Sequence, residues 1–298
     1  MNKKLVRQLP LHFMLLPGII LILIFSYIPM VGIVIAFQQF IPTNGLFGSE
    51  YIGWGNFEYA FQLPDLSIVL KNTLFISIMK IIVGLIAALV TALLLNEVRL
   101  MWLKRSVQTI VYLPHFLSWV VLGGILIDIL SPSSGIIAKV FTFIGLEPIF
   151  FLGKNDWFPY VIVISDVWKE FGFNTIVYLA AITSVNPALY EAAKIDGANR
   201  WKQTWHITLP GMRPIIVLLA TLSLGNVLNA GFDQIFNLYS PAVYKSGDII
   251  DTMVYRIGLI DFQYGLATAI GLFKSIVSFI LISTSYWLAY RFANYRIF

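Results

Sequence analysis

Apolar residues run along this chain in blocks, not in alternation. Six stretches, roughly 14–37, 69–95, 107–130, 158–182, 213–238 and 264–291, are apolar nearly all round. Each reaches the ~20 residues a helix needs to cross a bilayer, so the pattern predicts six transmembrane helices. The first run, about Leu15 to Phe37, follows Lys3, Lys4 and Arg7 as a signal peptide would. It is too long for a signal core and no small-residue cleavage site follows it, so it reads as an uncleaved first span. Between the blocks, loops of about 38–68, 131–157 and 239–263 are rich in Gly, Pro and aromatics. None is long enough for a separate domain, and 1–298 reads as one transmembrane domain. Trp54, Phe57, Tyr59 and Phe61 suit an interfacial belt. In the second span, Gly84, Ala88 and Ala92 recur every four residues, a small-residue stripe for close helix packing.

Composition agrees with an all-α, polytopic membrane protein. Of 298 residues, 58% are hydrophobic and only 12% charged, about half the charge of a soluble domain. The pI of 9.3 does not imply nucleic acid, because the basic residues flank the apolar blocks. If both termini are cytoplasmic, Lys3, Lys4, Arg7, Arg99, Lys104, Arg105, Lys194, Arg200, Lys202, Arg213, Arg291 and Arg296 lie inside. Lys71, Lys139, Lys154, Lys245 and Arg256 lie outside, a positive-inside bias that sets the orientation. Cysteine is absent, which excludes disulfides and thiolate metal sites. Three scattered histidines make a poor zinc set, and no metal site is expected.

One mixed-charge stretch interrupts this chain on the expected cytoplasmic side, 184–212, containing "YEAAKIDGANRWKQTWHITLPGMRP" around it. Asn186-Pro187 is a helix start, with Asn as cap and Pro in the first position. Ala188 to Ile195 are mostly good helix formers, and Gly197 permits the turn that ends them. A second short helix carries Trp201, Trp205, Ile207 and Leu209, with Pro210 as its stop. A short helix outside the bilayer gains little from lipid, so its apolar side needs a protein surface or the membrane interface.

Glu191-Ala192-Ala193, three residues, Gly197, nine residues, then Ile207-Thr208-Leu209-Pro210 resembles the EAA loop, EAA-x3-G-x9-I-x-L-P. That loop marks the permease subunits of binding-protein-dependent ABC importers. Asp196, Ala198 and Pro214 fit the longer form of sugar permeases. "LNEVR" (Leu95–Arg99), "YLPHF" (Tyr112–Phe116), "DVWKEFGF" (Asp166–Phe173), "GFDQIF" (Gly231–Phe236) and "DTMVYRIGL" (Asp251–Leu259) resemble the LplB-like branch of oligosaccharide permeases. Thr204 departs from the Phe of many sugar permeases, with Trp205 beside it. The resemblance implies the type I ABC importer permease fold in a bacterial plasma membrane. It implies import of an oligosaccharide, neutral or acidic, and a loop that couples to a cytoplasmic ATPase dimer through Glu191, Ala192, Ala193, Asp196, Gly197, Ala198, Ile207, Leu209 and Pro210. A second permease subunit and an extracellular sugar-binding lipoprotein complete the assembly. The chain has no G-x-x-x-x-G-K-[ST] sequence, so no catalytic residue is assigned and ATP with Mg is expected on the partner ATPase.

Intramembrane charges are the remaining candidates, because they are costly and face protein or a wet cavity. Asp166, Lys169 and Glu170, beside Trp168, are spaced for pairing on one helix face and fit either a sugar path or a structural ion pair. Asn226, Asn229, Asp233 and Asn237 fall within about 80° of one face of the fifth span, a candidate sugar-facing stripe. Lys80 and Lys274 read as lone membrane cations that snorkel or meet a partner chain's carboxylate, with an acidic sugar as the alternative. His115, after Pro114, marks a helix distortion. An ion-driven carrier leaves the cytoplasmic loop unexplained. An intramembrane enzyme built on Asp166, Glu170 or His115 lacks a nucleophile–base set.

Overall fold

The structure is a computed structural model. It describes the backbone of residues 3–293 and the side chains of residues 12–287. The side chains of Lys3, Lys4, Arg7, Arg291 and Arg296, part of the expected charge asymmetry, lie outside these. The described chain is helical but for one short strand pair. It divides into two compact units, Met1–Leu66 with Met253–Phe273, and Ser67–Thr252 with Lys274–Phe298.

In the first unit, α1 (Lys3–Ile22) runs on through a π turn and a 3-10 stretch to Phe37. From His12 to Val34 its apolar side chains stand exposed, as a lipid-facing helix requires. It ends in β1 (Gln38–Gln39), antiparallel to β2 (Glu50–Tyr51) with Gln38 opposite Tyr51. Asn56 holds this corner by donating from Nδ2 to the carbonyls of Ala36 and Gln38, both at 2.9 Å. Phe57 packs with Ala36 and Ala269 in a small core. It is therefore interior, not a belt residue; Trp54, Tyr59 and Phe61 are the exposed aromatics.

The second unit is built on α2 (Leu66–Glu97) and α5 (Phe158–Thr183). Ala88 and Ala92 are fully buried beside Tyr178, Ala181, Ile182 and Met212, so these two residues of the small-residue stripe pack as its spacing predicts, whereas Gly84 has open space where a Cβ would stand. Thr175 Oγ1 donates to the Ala88 carbonyl at 3.3 Å across this contact. In lipid there is no hydrophobic gain between helices, and such close approach with its dispersion and hydrogen bonds holds them. A second cluster gathers Ile76, Phe158, Ile162, Ala230, Ile235 and Ile249.

Two expected spans differ from the sequence reading. The third, 107–130, is two helices, α3 (Met101–Tyr112) and α4 (Trp119–Leu130). A 3-10 turn at Leu113–Phe116 lies between them, and the two arms of the span meet at 106°. Pro114 removes a donor, and Ser118 then caps α4 by accepting from the Val121 N–H. The fifth, 213–238, also breaks: α7 (Leu209–Leu224) ends, and α8 (Phe232–Leu238) begins after Gly231, whose φ is +91°. Asn226, Asn229, Asp233 and Asn237 thus do not share one helical face. Among the described residues four helices are long and apolar enough to cross alone, with the bent third span a fifth. The 26-residue α5 has the length but carries Asp166, Lys169 and Glu170.

The final helix, α9 (Tyr264–Ala293), carries Lys274, which pairs with Asp251 and so has its partner within this chain. The α3–α5 contact depends on Gly172, where an added Cβ would lie 2.1 Å from the Val111 carbonyl oxygen. Backbone cannot yield there as a flexible side chain would. Gly172→Ala is expected to cost about 1–3 kcal/mol through overpacking. A several-degree fall in the unfolding midpoint of the detergent-solubilised chain is the measurable result; an unchanged midpoint contradicts this packing.

Candidate functional site

The 184–212 loop begins as the sequence predicts. Asn186 caps α6 (Pro187–Ile195), its Oδ1 accepting from the Ala188 N–H at 3.0 Å. Gly197 has φ +74°, and the Ala198 N–H returns to the Ala193 carbonyl at 2.8 Å, closing the helix with a left-handed residue. Asn199 then caps the next helix by accepting from the Lys202 N–H at 2.9 Å. Beyond it the structure departs from expectation. Pro210 stops nothing: Arg200–Leu224 is one helical run of 25 residues. A π turn at Thr204–Thr208 precedes Pro210, and its wider register accommodates the ring that would clash in regular α-helix.

Tyr190 and Thr208 hydroxyls meet at 2.9 Å, tying α6 to the start of the fifth span. Arg200 pairs with Glu97 at the end of α2. Glu191, Ala193 and Ile195 stay exposed or half-buried, and Trp201 stacks on Trp205 at 6.1 Å with both rings exposed. The loop therefore presents a glycine-bent ledge of apolar and charged side chains that the described residues leave uncovered.

The second assembly lies among α2, α5 and the broken fifth span. A cavity of about 350 Å³ is lined by Asp166, Glu170, Asn226 and Asn229 from the sequence candidates, and by Ser77, Lys80, Asn174 and Ser223 as well. Trp168, Lys169, Asp233 and Asn237 do not line it. Trp168 borders an apolar groove with Trp157 and Tyr160, Asp233 is exposed in the first turn of α8, and Asn237 packs against Gly123. Lys169 is buried beside His115, where its Nζ donates to the His115 carbonyl at 2.8 Å.

Lys80 is the residue whose role the sequence reading missed. It neither snorkels nor needs a partner chain. Its ammonium lies 3.0 Å from Asp166 Oδ1, donates to the Ala230 carbonyl at 2.7 Å, and donates to Gln234 Oε1. Gln234 is fully buried and passes the network on, its Nε2 donating to the Ile162 carbonyl at 2.7 Å and to Ser165 Oγ at 2.8 Å. Three elements thus meet at one cation. Gly231 is required twice here, by its positive φ and because an added Cβ would lie 2.9 Å from Lys80 Nζ. The only signal in the sequence was a cation in an apolar helix beside an i, i+4 pair of acids on another. Asn174, Ser223 and Ser77 gave no signal, since small polar residues abound in spans.

The family described as binding-protein-dependent transport system inner membrane component matches residues 80–294. The chain belongs to this family. It is 42% identical to the polygalacturonan/rhamnogalacturonan transport system permease protein YteP of Bacillus subtilis, covering 99% of this chain and 92% of that one. Protein LplB of the same organism is 40% identical over 97% and 91%. Among solved structures, a bacterial ABC transporter involved in the import of the acidic polysaccharide alginate superposes with a TM-score of 0.90. It is 41% identical, over 97% of this chain and 98% of that one. A second, the alginate transporter in complex with its alginate pentasaccharide-bound periplasmic protein, gives 0.89. The LplB-like resemblance of the motifs is therefore upheld along nearly the whole permease.

Removing one partner of a buried ion pair strands the other. Lys80→Met should cost about 3–5 kcal/mol and sharply reduce folded permease on a size-exclusion column. Adding Asp166→Asn should recover part of the yield, because the stranded carboxylate is gone. An equal loss in single and double variants would show that the pair is not what joins α2 to α5.

Proposed function

We propose that this permease is one of two membrane subunits of an ATP-driven importer for oligosaccharides, acidic ones included. The observation that carries the reading is the polar cavity between α2, α5 and the broken fifth span. Each carboxylate lining it has a lysine against it, Lys80 for Asp166 and Lys169 for Glu170. Pairing leaves a surface of hydroxyls, amides and half-used carboxylates, suited to sugar hydroxyls and not strongly repelling to uronates. Ser77 Oγ is buried against the cavity with no hydrogen-bond partner among the described residues. An unmade bond there costs about 1–3 kcal/mol, which a sugar hydroxyl would relieve once the wall opens enough to uncover that oxygen. The relatives named for polygalacturonan, rhamnogalacturonan and alginate transport support a polymer-derived, uronate-containing substrate.

Energy enters in trans. ATP and Mg belong to a cytoplasmic ATPase dimer, and the exposed ledge of α6 with Gly197 and Asp196 is its contact. Ile207, Leu209 and Pro210 begin the span that carries the motion inward. A second permease chain completes the path, and an extracellular binding protein delivers the sugar. The positive-inside bias supports six crossings with both termini in the cytoplasm, the bent third span and charged α5 each counting as one. In this arrangement nucleotide-driven closure of the ATPase selects between inward- and outward-open permease by differential contact with the two states.

Two measurements test this. The assembled importer in proteoliposomes should take up alginate or galacturonate oligosaccharides with ATP, and Ser77→Ala should lower uptake at limiting sugar more than at saturation. Absence of uptake of either sugar by the native complex would refute the substrate class. At the loop, nothing lies within 4 Å of a Cβ added at Gly197, so only its φ of +74° restricts substitution. Gly197→Val should assemble yet hydrolyse ATP without uptake, whereas Gly197→Asn, which tolerates left-handed φ, should keep coupling. Native uptake in the valine variant would remove this loop from the transmission path.

A further inference from the structure

A single stretch of α5, Lys169 to Phe173, grips both arms of the bent third span. Lys169 Nζ donates to the His115 carbonyl at 2.8 Å, a carbonyl in the 3-10 turn between the arms. The same ammonium lies 5.7 Å from the ring centre of Trp119, the first residue of α4. Its carboxylate neighbour is Glu170, with Oε1 at 3.0 Å, and the other oxygen of Glu170 lies 2.8 Å from His115 Nδ1. His115 stacks face to face on Phe173 at 4.3 Å and 9°. Gly172, between them, lets Val111 of α3 approach in backbone contact. The arms on either side of the 106° bend are therefore both fixed to one helical turn.

Glu170 also lines the cavity with Asp166 and Asn174. It alone belongs both to that lining and to the bonds that hold His115. We propose that Glu170, with His115 and Lys169, forms a latch that reports occupancy of the cavity to the bend of the third span. A sugar hydroxyl donating to Glu170 competes with His115 and Lys169 for the carboxylate's lone pairs. As their hold loosens, the residues of the turn, Leu113 to Phe116, absorb a change in angle between α3 and α4. These three are positioning residues of the transport step. Their chemistry is an exchange of hydrogen bonds, and no covalent step is involved. A hinge of this kind needs differential contact in two states, and Glu170 supplies it by having two sets of partners.

The inference rests on the oligosaccharide reading only for the ligand, so its test has an arm without sugar. The chain has no cysteine, so spin labels go onto cysteines placed at exposed Ser106 and Ile127, one on each arm, with the other subunits made cysteine-free. Pulsed EPR then reads the distance across the bend in the complete importer in nanodiscs. It is measured at rest, with vanadate-trapped nucleotide, and with binding protein loaded with alginate pentasaccharide. In the native sequence the distance distribution should shift on loading. In Glu170→Gln and His115→Phe it should be broad at rest and insensitive to loading, and the ratio of sugar-stimulated to basal ATP hydrolysis should fall several-fold. His115→Gln, whose amide still donates to Glu170, should recover both readouts. Native-like distributions and stimulation in both Glu170→Gln and His115→Phe would overturn the latch. Should His115→Phe fail to assemble, Glu170→Gln decides alone. If the native importer neither takes up nor responds to the pentasaccharide, the substrate class fails, and the resting and vanadate-trapped distances still decide the latch.

Discussion

A buried ammonium that cannot leave its carboxylate is the constraint on which this structure depends. Lys80 sits in an apolar helix, and at that depth an unpaired charge is far too costly to keep. Its contact with Asp166 fixes α2 against α5, and its remaining donors go to Ala230 and Gln234 on either side of Gly231. The break in the fifth span is therefore not loose chain. Its freed carbonyl is satisfied by the same cation that joins the other two helices, as backbone inside a bilayer requires. Lys169 repeats the arrangement at the third span, where it satisfies the His115 carbonyl. Two broken spans and two lysines, with their carboxylates on successive turns of α5, form one unit.

Ion pairs of this kind add little net stability, because desolvation offsets most of the attraction. Hydrophobic side chains of equal volume would join α2 and α5 at least as firmly. What the pairs provide is polar surface: each lysine satisfies one broken span and leaves its carboxylate partly free toward the cavity. A sugar passing as proposed here is coated in hydroxyls, and a wholly apolar seam offers no bonds to replace those the sugar makes with water. Holding the helices by paired charges combines a fixed frame with a wettable wall.

The sequence made the helical architecture and the 184–212 loop legible, because both rest on local signals. Asn186, Pro187 and Gly197 act through a cap and a positive φ within a few residues, and the structure places each as the pattern predicts. The distortion of the third span was legible at Pro114-His115, though not the size of its 106° bend. The break at Gly225–Gly231 was hidden, because hydropathy continues through residues whose backbone bonds are satisfied from another helix. That hidden partner is also why the stripe of Asn226, Asn229, Asp233 and Asn237 misled: its 100° spacing holds only on a continuous helix. Two of the four still reach the cavity, by way of the loop. Asp166 and Glu170 were found because intramembrane acids are rare. The pairing of Lys169 with Glu170 was legible from their spacing. Lys80 and His115 were not recognised as partners, since Lys80 lies 86 residues from Asp166 in the chain and His115 lies 55 from Glu170. Pro210 misled for a different reason: a π turn, which leaves no mark in composition, lets it sit inside a helix.

The same geometry connects the loop of α6 to the cavity, as the proposed importer requires. The helical run Arg200–Leu224 starts in the loop and ends at the break whose Ala230 carbonyl Lys80 holds. The helix bearing Lys80 ends at Glu97, which pairs with Arg200 at the start of that same run. Lys80 is thus bounded by two helices that are joined at the loop by one ion pair and at the cavity by another set of bonds. Seventeen residues of helix separate Glu97 from Lys80, roughly 25 Å at 1.5 Å per residue. Packed helices of that length move as rods more readily than they bend, since each turn keeps its own hydrogen bonds. A push on the loop therefore displaces both rods together, and the strain gathers where helical bonding is already interrupted. On these two rods that interruption is the break at Gly225–Gly231 beside the cavity, so the place least able to resist a push is also the wall proposed to meet the sugar.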